Sequence, residues 1–148
     1  MALRMSTGLC NKLHDTAPTK TVFNLCYIKI YAGAPAASAD ALAPAPICTV
    51  SNNSVPGTGL TWGPTATAGV LAKTVGEVWS GIVAAGGGTA AWFRIVAAGD
   101  TGGAVPAEPR LQGTIGVGGG ADMVVGSVGL IANATFTINY ATLSFVPS

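Results

Sequence analysis

Charge is what this chain has least of. Thirteen of its 148 residues are ionised at neutral pH, seven Lys or Arg and six Asp or Glu. An ordinary soluble domain carries about 25% charged residues; this one carries 9%. A folded monomer of this size exposes roughly 7,000 Å², so an even spread leaves about one charge per 500 Å². Cover that thin implies a surface shielded by a membrane, by copies of the chain, or by a larger assembly. The cations stand singly at positions 4, 12, 20, 29, 73, 94 and 110. They form no basic patch to follow a phosphate backbone, and nucleic acid is not an expected partner.

Other absences narrow the field. Cys10, Cys26 and Cys48 are an odd number with no C-x-x-C spacing, which gives neither a disulfide framework nor a zinc-ligand pair. They read as small buried apolar residues in a reducing cytosol. Long apolar runs are missing too. The uncharged stretch from Ala41 to Ala72 is broken by Pro44, Pro46, Pro56 and Pro64, and the stretch from Met123 to Ser148 mixes in polar residues at alternate positions. Neither supplies the ~20 continuous apolar residues of a spanning helix, so no membrane is expected. Met1–Ser6 lacks the apolar core of a signal peptide.

What is present is β-rich and heavily punctuated. Leu3, Met5, Leu9 and Leu13 lie near helical spacing and Pro18 closes the segment, which predicts a short N-terminal helix or arm over residues 1–20. From Val22 the pattern changes: Cys26, Ile28 and Ile30 share one strand face, and Tyr27, Lys29 and Tyr31 the other. Residues 32–46 are Ala- and Pro-rich without periodicity and read as a surface loop. Further strands are expected near 47–50, 60–62, 68–72, 74–84, 89–98, 110–117, 123–128 and 135–145. In the last, Phe136, Ile138 and Tyr140 alternate in one phase and Leu143 and Phe145 in the other. A bulge at Ala141–Thr142 would absorb the slip. Short strands punctuated by Gly and Pro predict an all-β domain over residues 21–148, an antiparallel β-sandwich or jelly-roll-like arrangement.

Chemistry finds little to work with. The single histidine, His14, sits beside Asp15 in the arm, and no G-x-S-x-G places a nucleophile for it. Asp100, Glu108 and Asp122 fall in or beside turns, while Glu77 is read within a strand, facing Arg94 or Lys73 as a structural pair. Gly116, Gly118 and Ala121 match a dinucleotide-binding turn, but strand-like residues follow where a helix N-terminus is required. No enzyme activity, metal or cofactor is expected. Trp62, Trp79 and Trp92 remain, either as core or interface anchors or as a carbohydrate platform.

Four segments, STGLCNKL (6–13), NLCYIKIYAGAPAASADAL (24–42), GTAAWFRIVAAGD (88–100) and GTIGVGGGADMVV (113–125), resemble small structural proteins encoded by tailed bacteriophages and prophages near their head genes, of the head-decoration or cement type. The resemblance implies a β-sandwich made in the bacterial host cytoplasm that sits on the outer capsid surface of the virion. There it would clamp neighbouring major capsid proteins, as a homo-oligomer, dimer or trimer, without enzymatic activity. The candidate interface residues are Leu3, Leu9, Leu13, Tyr27, Tyr31, Trp62, Trp79 and Trp92. The arm and the 32–46 loop are expected to reach neighbouring subunits, so that deleting residues 2–14 would weaken head binding. The alternative is a tail or fibre module that binds host surface carbohydrate.

Overall fold

The computed structural model describes residues 3–15 and 17–144. In chain order the elements are β1 (Arg4–Met5), α1 (Thr7–Asp15), α2 (Thr19–Val22), β2 (Tyr27–Tyr31), β3 (Cys48–Asn52), β4 (Val70–Ala72) and β5 (Trp79–Ile82). There follow β6 (Gly88–Thr89), β7 (Trp92–Val96), β8 (Arg110–Gly116), β9 (Met123–Val124), β10 (Gly129–Leu130), β11 (Thr135–Ile138) and β12 (Thr142–Ser144). The fold is all-β, with 35% of residues in strands and 9% in helices. Its centre is an eight-stranded sheet with the path β1-β8-β7-β2-β3-β5-β11. Pairing along this path is antiparallel throughout. The eighth strand, β9, joins β8 in parallel.

The sequence's alternation sets which face is the core. Cys26, Ile28 and Ile30 turn inward, as do Phe93 and Ile95 from β7 and Leu111 from β8, all at most 4% exposed. Val50, Leu60, Trp79 and Leu143 complete the same cluster from other elements. Removing this apolar area from water is the main stabilising term. The opposite face of β7 is also covered: Trp92, Arg94 and Val96 are at most 1% exposed.

Several elements differ from the sequence expectations, each for a local reason. The N-terminal segment is not a free arm. Arg4 and Met5 pair with Gln112 and Leu111, and Leu9 of α1 is wholly buried in the core. Gly8, which weakens a helix in isolation, is the contact that lets α1 dock. A Cβ there would lie 2.2 Å from the Ala107 carbonyl oxygen. Residues 60–62 make only isolated bridges, Leu60 to Cys26 and Trp62 to Lys73. In the long strand expected over 74–84, only Trp79–Ile82 is strand, because Gly76 at φ +89° turns the chain just before it. The phase slip near 141 is a change of partner rather than a bulge: β11 pairs with β5, then β12 pairs with β4. Phe145 lies outside the described residues.

Candidate functional site

The outer face of the sheet carries an aligned polar row. Register places Arg4 opposite Gln112, Gln112 opposite Arg94, Arg94 opposite Lys29, and Lys29 opposite Thr49. Two cations directly opposite each other repel unless both are satisfied. Lys29 Nζ is satisfied by Asp100 Oδ1 at 3.1 Å. Arg94 donates Nε to Gln112 Oε1 at 2.8 Å and Nη2 to the Ser38 carbonyl at 2.9 Å. Arg110, fully buried, donates Nε to Asp100 Oδ2 at 2.5 Å and Nη2 to the Glu108 carboxylate.

The 32–46 loop is thereby fastened to the sheet rather than free. Four successive carbonyls accept side-chain bonds: Ala36 from Gln112 at 2.9 Å, Ala37 from Arg4 at 2.5 Å, Ser38 from Arg94 and Ala39 from Arg110 at 3.4 Å. Asp40 then accepts from the Thr7 N–H at 2.9 Å and the Thr7 hydroxyl at 2.8 Å at the start of α1. Ala and Pro side chains hold no groups that compete for these donors, so apart from Ser38 and Asp40 the loop offers them only its backbone oxygens. Under this cover Tyr31 stacks on Trp92, with ring centroids 4.1 Å apart. Burial pushes the Tyr31 hydroxyl up to a pKa of about 12.

Four of the seven cations (Arg4, Lys29, Arg94, Arg110) and three of the six acids (Asp40, Asp100, Glu108) are engaged in this cluster. Burial alone would raise the Asp100 pKa, but the hydrogen bonds from Arg110 and Lys29 outweigh it and hold the carboxyl below its ordinary 3.8. Glu77 belongs to a separate cluster. Its carboxylate accepts from the Thr61 N–H at 3.0 Å, the Thr61 hydroxyl at 2.7 Å and the Trp79 indole at 2.7 Å. Lys73 donates to the Glu77 carbonyl instead of its carboxylate, and Arg94 lies elsewhere, so the expected Glu77 ion pair is not formed. Asp122 takes the N–H and hydroxyl of Thr114, both at 2.8 Å. These carboxylates hold the fold together and are occupied in doing so. Burial pushes the thiols of Cys26 and Cys48 up to about 12 and about 11, which leaves them as neutral packing groups at physiological pH.

The expected interface residues do not gather on one surface. Leu9, Trp62 and Trp79 lie inside the chain's own core and Tyr31 and Trp92 on the covered opposite face of the sheet, none more than 5% exposed. Trp62 and Trp79 meet edge to face at 5.0 Å. The three indoles therefore offer no exposed carbohydrate platform. Leu3 and Leu13 are half-buried against the core. Tyr27 keeps part of its ring exposed, on a groove of about 580 Å³ shared with Lys29, Thr49, Ile82 and Asp100. That groove is the uncovered half of the outer sheet face.

What remains outside is nearly uncharged. Arg4, Lys12, Asp15 and Asp122 are the only exposed members of the thirteen charges. Among the described residues twelve large apolar side chains are exposed, including Val75, Tyr140, Ile131, Leu42, Val117 and Val124 at 61–98%. Sequence reasoning missed this pattern, in which nine of the thirteen charged residues are buried or half-buried while many apolar side chains lie outside. No family model, curated protein or solved structure matches this chain. Its role must be read from its own residues.

Proposed function

We propose that this chain is a structural protein of a tailed-phage virion, a cement or decoration protein that binds the outer head surface and stabilises contacts between major capsid proteins. The observation that carries the reading is the surface: among the described residues, three exposed large apolar side chains for every exposed charge. A freely diffusing domain keeps single apolar residues outside but covers the rest with mixed charge. A surface depleted in Lys, Glu and Asp fits a body that spends its working life in contact.

The internal charge cluster supports the same role. It ties the helix, the 32–46 loop and the sheet together through charges that, Arg4 aside, are buried or half-buried, which suits a clamp that must bridge two neighbours without deforming. The fastening also changes the test. Deleting residues 2–14 removes Leu9 from the core and Ser6 from β8, so loss of head binding by that variant would report unfolding. Single lysine substitutions at exposed apolar positions are cleaner. Val75→Lys, Ile131→Lys and Leu42→Lys should leave the fold intact and lower the amount of protein that co-sediments with undecorated heads. If all three variants decorate heads as fully as the parent chain, the contact surface is elsewhere and the cement reading loses its support.

A further inference from the structure

We propose that two copies of this chain pair antiparallel through the outer edge of β11, centred on Thr137. β11 ends the strand path, and its one partner among the described residues is β5. Alternate residues along it therefore aim N–H and C=O groups away from the sheet. Folded proteins blunt such an edge with Lys, Pro or a bulge. None of these occurs from Ala134 to Ser144: the run ATFTINYATLS has no charge and no proline. Instead it reads well against itself. Pairing about a two-fold axis through Thr137 sets Thr137 opposite its own copy, Phe136 opposite Ile138, and Thr135 opposite Asn139. Every pair then joins residues of the same sheet face, polar with polar outside and aromatic with β-branched inside, which are favourable cross-strand combinations. A register shifted by one residue would put Thr opposite Phe or Ile and lose this match.

The space beside the edge agrees. A cavity of about 520 Å³ is bounded by residues 136–143 and by residues 122–126, with Leu3, Ile28, Ile95 and Leu111 among its walls, while no β5 residue reaches it. It thus lies on the side of β11 away from β5. There, Phe136 and Ile138 of a second copy find the apolar side chains Leu3, Ile28, Ile95 and Leu111, with Asp122 as the one charged residue of the lining. This pairing is a property of the purified chain and stands apart from the head-surface reading.

The measurement is the molar mass of the full chain in solution by light scattering, compared for the parent, Thr137→Lys and Thr137→Glu. The proposal expects twice the 14.6 kDa of one chain for the parent and a halved mass for each variant, with unchanged circular dichroism. A mixture of the two variants should return to the doubled mass, because opposite charges then face each other. Independently of folding in those variants, Thr137→Cys should form a disulfide-linked dimer under mild oxidation, whereas Val75→Cys, exposed elsewhere, should not. A monomeric or trimeric parent, a dimer insensitive to charge at Thr137, or equal cross-linking by the two cysteine variants would overturn it.

Discussion

At the scale of single residues, the molecule depends on a few polar side chains that each serve several partners. The Ser6 hydroxyl donates to the Glu108 carbonyl at 2.8 Å and accepts from the Leu9 N–H at 3.1 Å and the Arg110 N–H at 2.8 Å. It caps α1 and satisfies a buried strand N–H at once. Ser6→Ala should therefore cost about 2 kcal/mol, the upper end for losing a cap, in a denaturant titration. Asp100 is the second such residue, with its side chain 2% exposed between Lys29 and Arg110. Asp100→Asn leaves the Arg110 charge less compensated and should cost about 3 kcal/mol. Its folded pKa is depressed below 3.8, so its contribution is complete above that value and is lost as pH falls through the folded pKa. The stability gap between parent and Asp100→Asn should accordingly narrow on going from about pH 7 to about pH 3. A gap that stays constant would remove Asp100 from that role. Gly8→Ala tests the docking of α1. With the new methyl group driven against the Ala107 backbone, a loss of about 2–3 kcal/mol is expected.

At the scale of elements, the loop at 32–46 is the instructive case. Its composition reads as a surface loop or extended crossing, yet its carbonyls are held by Gln112, Arg4, Arg94 and Arg110. The folded protein should resist limited proteolysis there, and Arg94→Ala should make the loop the first site of cleavage, as mapped by mass spectrometry of the fragments. Rapid cleavage of the parent chain at this loop would contradict the fastening. The same element shows what the sequence can and cannot convey. Alternation in β2, β7 and β11 is local, so Ile28, Ile30, Phe93 and Ile95 could be placed on the core face from pattern alone. The burial of Trp92 and Arg94 on the opposite face depends on a loop more than 50 residues earlier in the chain folding over them, and no local pattern carries that. Likewise, Phe136 and Leu143 change phase because β11 and β12 have different partners, a fact of topology that the pattern registers only as a slip. The aromatic interface expected at Tyr31, Trp62, Trp79 and Trp92 failed for this reason: large side chains with one polar handle suit a core edge as well as a contact surface.

At the scale of the whole molecule, low charge and inward charge have one consequence. Seven of thirteen charges are tied into the cluster around the loop, and only four of the thirteen are exposed. Such a body is poorly protected against association. It is suited to being covered, by a second copy along β11 and by a shell beneath. As a cement protein, the role proposed above, the chain would occupy a repeated position on a phage head. The most direct test of that role is the copy number per virion, relative to the major capsid protein, by quantitative mass spectrometry of purified particles. A cement protein should be present in copies equal to the capsid protein count or to a simple fraction of it. A handful of copies per particle would contradict that role and place the chain in the tail.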